Sequence, residues 1–170
     1  MRFEFIADEH VKVKTFLKKH DVSKGLLAKI KFAGGSILVN DTPQNAIYLL
    51  DIGDKVTLDI PREDGFETLK SISKDLEIIY EDDHFLIVDK PAGVASIPSA
   101  NHSNTMANYI KAYYIHSGYE NHQVHIATRL DKDTSGLMLF AKHGYAHARL
   151  DKQLQSRSIE KRYLALVKGS

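Results

Sequence analysis

The feature that most constrains this chain is the run Arg129-Leu130-Asp131-Lys132-Asp133-Thr134-Ser135-Gly136, which feeds directly into Leu137-Met138-Leu139-Phe140-Ala141-Lys142. A charged tight turn is joined to an apolar strand, and so apolar a strand has to lie in a sheet with a covered face. Thr134-Ser135-Gly136 turns the chain, with Gly136 free to take backbone angles that other residues resist. Arg129 and Asp131 are two residues apart. In extended chain they project from one side, and a cation beside a carboxylate keeps the acid ionised and nucleophilic. The stretch therefore reads as an active-site loop set on a core strand.

Three other readings compete for it. Asp131-x-Asp133-x-Ser135-Gly136 opens like a calcium loop, but such a loop wants a bidentate Glu at its twelfth position, which here is Lys142. An aspartate-nucleophile phosphotransferase wants a strongly apolar strand before the first Asp, and Ile126-Ala127-Thr128-Arg129-Leu130 is a poor one. The third is a surface turn whose Arg129–Asp131 pair is exposed and contributes little.

With 170 residues, 43% hydrophobic and 26% charged, the chain can bury one moderate core or two small ones. It has no cysteine, which excludes a disulfide framework, thiolate metal sites and a cysteine nucleophile. Neither a signal peptide nor a membrane span is visible, and Met1-Arg2-Phe3-Glu4-Phe5-Ile6 reads as a short strand. The net charge of +1 conceals blocks of different sign. Residues 1–60 hold 9 Lys/Arg against 8 Asp/Glu, residues 61–128 hold 5 against 10, and residues 129–170 hold 9 against 4. Within residues 10–31, Lys12, Lys14, Lys18, Lys19, Lys24, Lys29 and Lys31 stand against Asp21 alone. These clusters fit phosphates, or else they are solvated helix faces.

Local patterns divide the chain. Val13, Phe16 and Leu17 form one helical stripe, and Ser23 caps a second helix carrying Leu26, Leu27 and Ile30. Ser36–Asp41 gives a strand and turn, and Lys55–Ile60 alternates as a half-buried strand. Pro61–Glu67 has turn formers and no apolar period, which places a boundary there and a linker over 62–74. Leu76–Tyr80 and Phe85–Asp89 then read as strands around the acidic turn Glu81-Asp82-Asp83-His84, closed by Lys90-Pro91-Ala92-Gly93. Asn104–Tyr114 has helical spacing with Met106, Tyr109, Ile110 and Tyr113 inward, Tyr145–Leu154 reads as an amphipathic helix, and Ile159–Val167 reads as a strand. In that strand Lys161, Tyr163, Ala165 and Val167 share one side. His102, His116, His122 and His125 lack the spacing of a metal site.

The Arg129–Leu137 run strongly resembles the R-L-D-x-x-T-S-G-L signature of the RluA-type pseudouridine synthases, which isomerise uridine in RNA. Lys90-Pro91-Ala92-Gly93 is similar to that family's Lys-Pro-x-Gly, and residues 161–167 are similar to its Lys-x-Tyr-x-Ala-x-Val strand. Residues 10–60 resemble the S4 RNA-binding domain, best at Ser36–Asn40 and Gly53-Asp54. Two departures are visible: Thr128 stands where members often carry His, and Lys12-Val13-Lys14 stands where S4 domains often carry Arg-Leu-Asp.

The resemblance implies an α+β chain. A small S4-like α/β RNA-binding module spans 1–61, a linker 62–74, and an incomplete, mixed but mainly antiparallel pseudouridine synthase domain 75–170. It implies Asp131 as the catalytic nucleophile, Arg129 and Tyr163 holding an extruded uracil, and Lys161 supporting the site. Lys90 is implied to contact RNA or support the loop, and Lys24 and Lys31 to meet RNA phosphates. No cofactor or metal is implied. The partner is RNA, ribosomal RNA foremost, and the expected setting is a monomer in the cytoplasm with no membrane contact. Members continue well past the tyrosine strand, so the resemblance also implies a fragment holding roughly half of a catalytic domain. The competing expectation is a non-catalytic RNA-binding protein that uses only the S4-like face.

Overall fold

The structure, a computed structural model, describes residues 1–65 and 67–168; Phe66 of the expected linker and Gly169 and Ser170 lie outside them. In the first sixty residues the elements are β1 (Arg2–Ile6), α1 (Val13–Lys19), α2 (Lys24–Phe32), β2 (Ser36–Val39), β3 (Thr42–Pro43) and β4 (Lys55–Asp59). The strands form one antiparallel sheet in the order β1-β4-β2-β3. Both helical stripes are buried against it, Val13, Phe16 and Leu17 from α1 and Leu26 and Ile30 from α2, around Val39, Val56 and Leu58. A side chain such as Phe16, fully buried, contributes about 2–3 kcal/mol. Ser23 caps α2, its Oγ accepting from Leu26 N at 3.1 Å. At the far end of α2 the chain needs glycine. A Cβ on Gly35 would lie 2.5 Å from Asp59 O, so the helix-to-strand turn packs directly on the β4 backbone.

The second half holds β5 (Glu77–Glu81), β6 (Phe85–Lys90), α3 (Met106–His116), β7 (His125–Ile126), β8 (Gly136–Ala141) and α4 (Gly144–Gln155). Its antiparallel sheet has the order β5-β6-β8-β7. The acidic turn between β5 and β6 is organised by Asp82, whose Oδ1 accepts from His84 N and Phe85 N, both at 2.7 Å. Alternation puts Leu86 and Val88 of β6 and Met138 and Phe140 of β8 on the inner face, where they meet Met106, Ile110 and Tyr114 of α3. Tyr114, rather than the expected Tyr113, is the fully buried tyrosine of α3. Tyr113 is half-buried because its hydroxyl donates to Glu81 Oε2 at 2.7 Å at the end of β5. Among the described residues no helix is long and apolar enough to cross a membrane.

The expected strand over 159–167 is not present. No described residue pairs with this segment, and a strand without ladder hydrogen bonds is only extended chain. Ile159 is half-buried against Ala141, Ala146 and Leu150, while Tyr163 is 64% exposed and Leu164, Leu166 and Val167 are exposed with it.

Described residues between 62 and 74 form neither helix nor strand. Glu63 is nonetheless buried, and its carboxylate takes hydrogen bonds from three directions: Lys29 of α2, His125 Nε2 at 3.0 Å and Gly144 N at 2.9 Å. Burial opposes its ionisation, but the bonds from His125, Lys29 and Gly144 outweigh that and hold its carboxyl down to about 2. α4 also reaches the first sheet. Tyr145 Oη donates to His20 O at 2.7 Å, its ring meets Phe3 edge-on at 4.8 Å, and Lys152 pairs with Asp21 at 2.6 Å.

A candidate active-site loop pinned by a buried lysine

The register of β6 on β8 runs from Phe85 opposite Ala141 to Lys90 opposite Gly136. It therefore ends where the 129–135 loop begins to turn, and it carries Lys90-Pro91 beneath that loop. Lys90 lies on the same face as Leu86 and Val88, so its stem continues the core line and its ammonium emerges under the loop backbone. It is 0% exposed and spends three hydrogen bonds on carbonyls: Pro91 O at 2.9 Å, Val94 O at 2.7 Å and Lys132 O at 2.9 Å. Burial lowers this ammonium below the usual lysine range, while the charges of Asp133 and Asp131 push the other way.

Further bonds fix the loop. Gly93 N donates to Lys132 O at 2.9 Å, and Thr134 N donates to Asp131 O at 3.2 Å to close the turn. Ser96 Oγ donates to Leu130 O at 2.5 Å and accepts from Leu130 N at 3.1 Å, clamping both sides of one residue. Thr128 Oγ1 accepts from Leu139 N at 2.9 Å, tying the start of the loop to β8. Gly136 completes the turn at φ +127°, a conformation that favours glycine. A carboxylate on such a loop is held without its own side chain being engaged. Asp131 is exposed, and among the described residues no hydrogen bond or ion pair occupies its carboxylate. A cleft of about 300 Å³ opens beside the loop, lined by Ser135, Pro91, Asp89 and Tyr109 among others.

Expected site residues fall into separate groups. Arg129 and Asp131 are both exposed, but they form no ion pair. Both stand exposed on either side of the partly buried Leu130, ahead of the turn at Lys132-Asp133, and exposed side chains at that spacing need not pair. The charges of Asp133 and Asp131 both act on the buried ammonium of Lys90. Lys90 itself is buried, with its three bonds on the carbonyls of Pro91, Val94 and Lys132. No hydrogen bond, ion pair or ring contact of the described residues brings Tyr163 or Lys161 to this loop, and both are exposed. Lys24 and Lys31 stand on α2, exposed and free of ion pairs. Sequence reasoning missed Ser96 and the role of Thr128. Ser96 lies 34 residues from Leu130, so no local pattern marks it. The alternation Leu86, Val88, Lys90 was the available signal for the buried lysine.

Comparison with known proteins follows the same residues. A sequence profile described as RNA pseudouridylate synthase matches residues 84–170, which takes in β6, the loop and everything after it. The uncharacterized RNA pseudouridine synthase YjbO of Bacillus subtilis (strain 168) is 40% identical over 92% of this chain and 56% of that protein. Ribosomal large subunit pseudouridine synthase D of Pseudomonas aeruginosa is 45% identical over 56% of this chain and 30% of its own. The dual-specificity RNA pseudouridine synthase RluA of Vibrio vulnificus is 42% identical over 55% of this chain and 35% of its own. The chain spans about half, or less, of the length of these curated relatives. By the profile match alone, which takes in more than half of its residues, this chain belongs to the RNA pseudouridylate synthase family.

Proposed function

We propose that this chain is part of an RNA pseudouridine synthase acting on uridine in ribosomal RNA, with Asp131 as its nucleophile. The observation that carries the reading is a carboxylate left free on a loop whose backbone is pinned by Lys90, Ser96, Gly93 and Thr128. Pseudouridine formation breaks the bond from C1′ to N1, turns the uracil and forms a bond from C1′ to C5, with no redox change and no cofactor. A carboxylate starts it by attacking C1′, by taking a ribose proton to give a glycal, or by adding to C6 of the ring. Each route needs a carboxylate preorganised with small tolerance, which is what a pinned loop supplies. A stacked uridine hides these atoms, so the nucleotide leaves its helix before reaction. Arg129, at the exposed edge of the loop, fits the extruded nucleotide, and Tyr163 and Lys161 complete its surroundings once their segment is folded over it.

Residues 1–61 are read as an S4-like module that holds the RNA through Lys24 and Lys31, and 75–170 as the amino-terminal part of the catalytic domain, with 62–74 between them. Two of the named relatives are ribosomal or dual-specificity enzymes, which supports ribosomal RNA as the substrate. The setting is cytoplasmic and the enzyme is taken as monomeric. The test is release of tritium from 5-labelled uridine in a ribosomal RNA transcript. Asp131→Asn abolishes release while RNA affinity stays within about twofold, since only the nucleophile is lost. Retained release would move the chemistry elsewhere, and silence of Asp133→Asn alone would keep the loop and shift the role to Asp133.

A further inference from the structure

An apolar groove opens on the first unit, far along the chain from the Asp131 loop. It runs between α2 and the segment after β3, has a volume of about 640 Å³, and is walled by Leu27, Ala28, Phe32, Ile37 and Ile47. Phe32 is the last residue of α2 and is 78% exposed, the cost of an aromatic ring left in water with no core to fill. The Lys31 ammonium stands 5.1 Å from the centre of that ring. Lys24, Ala28 and Lys31 fall on one stripe of the helix, so the groove wall is flanked by two cations that no carboxylate neutralises among the described residues. At its other wall, the Gln44 carboxamide makes no hydrogen bond among the described residues. It has both a donor and an acceptor to offer.

We propose that this groove is a nucleotide subsite, which takes one unpaired base of an RNA loop against Phe32 and its flanking phosphates on Lys31 and Lys24. The proposal rests on the reading of the first unit as an RNA-binding module, and it names the part of the RNA that this module takes. The occupant follows from the chemistry. A ring paired with a cation is the arrangement that stacks bases, uncompensated lysines call for a polyanion, and a free carboxamide can meet a base edge. The volume is that of a small-ligand site and too small for a duplex. Bases in a duplex present no open face, so the base has to be unpaired.

The experiment compares a hairpin RNA having an unpaired loop with a fully paired duplex of the same stem, titrated against the protein by fluorescence anisotropy across a range of salt. Phe32→Ala should weaken the hairpin complex between about fivefold and a hundredfold, the loss of one stacked base, with an unchanged salt slope and duplex affinity within about twofold. Phe32→Tyr should restore hairpin binding. Lys24→Ala and Lys31→Ala should each reduce the salt slope by about 1 on both RNAs. If the lysine variants behave so and Phe32→Ala binds the hairpin normally, the subsite is overturned and the RNA-binding reading stands. If none of the three variants alters binding, both fall. Sedimentation without RNA supplies the remaining arm: self-association that Phe32→Ala abolishes would make the groove a contact between two copies and overturn the proposal.

Discussion

A single buried cation organises the 129–135 loop at the residue scale. Lys90 donates to carbonyls on both sides of the gap between the Lys90–Gly93 turn and the 129–135 loop, so it acts as a cross-link between two segments distant in sequence. Hydrogen bonds made by a charged donor contribute more than neutral ones, about 1.5–3 kcal/mol each before coupling. Lys90→Met keeps the stem in the core and loses all three. It should lower unfolding free energy by about 2–4 kcal/mol in urea titration. In the tritium assay it should lower turnover more than tenfold with RNA affinity nearly unchanged, whereas a lysine contacting RNA would lose affinity first. Unchanged turnover with weakened binding would return Lys90 to the RNA surface. This residue also shows what sequence can convey. The alternation of Leu86, Val88 and Lys90 held the signal for its burial, while the spacing of Arg129 and Asp131 could not say whether two exposed side chains pair.

Elements were legible where their signals are local. The cap at Ser23 with its following stripe marked α2, and two apolar runs around an aspartate-rich turn marked β5 and β6. The 62–74 segment was legible only as lacking periodicity, because the residues that hold Glu63 lie 34, 62 and 81 positions away. The run 159–167 has strand composition, but propensity forms no strand without a partner. The start of α4 depends on a second buried group. His143 Nδ1 accepts from Ala146 N at 3.2 Å as the cap, which leaves the ring proton of the neutral form on Nε2, 3.0 Å from His84 Nδ1. Burial, helped by the charge of His84, pushes His143 down to about 4. Both groups bind fewer protons folded than unfolded, so both favour the fold at neutral pH and withdraw that support in acid. For His143 the support is full above about pH 6.5 and lost as pH falls toward 4. For Glu63 it is full above about pH 4.5 and lost toward 2, amounting to about 3 kcal/mol. Urea unfolding across pH should therefore show two acid limbs. His143→Asn, which preserves a capping side chain, should flatten the upper one, and Glu63→Gln should destabilise at pH 7 and flatten the lower. Variants that parallel the parent at every pH would sink this assignment.

For the whole molecule, the two sheets are joined by contacts that neither unit provides alone. Tyr145 begins the helix of the second unit yet is buried in the core of the first, with Phe3 against its ring and its hydroxyl on His20 O. Phe3 also touches the rings of His84 and His143, at 6.0 and 5.6 Å, so β1 packs on the histidine that caps α4 and on the histidine bonded to it. Asp21 adds an ion pair with Lys152, exposed enough to contribute little by itself. A junction made of one aromatic cluster and one buried carboxylate should couple the units, so that α2 and the loop carrying Asp131 share one frame. That coupling can be measured by native-state hydrogen exchange. In the parent chain the slowest amides of α2 and of β8 should exchange through the same opening, with equal free energies. Tyr145→Ala removes the ring and the bond to His20, at a cost of about 3–5 kcal/mol by analogy with other buried aromatics, and that cost should fall on the contact between units. The amides of α2 should then open at a lower free energy than those of β8, as two cooperative blocks where there was one. If both sets of amides fell together by the same amount, Tyr145 would be an ordinary core residue of a single folding unit, and the frame would not depend on the junction.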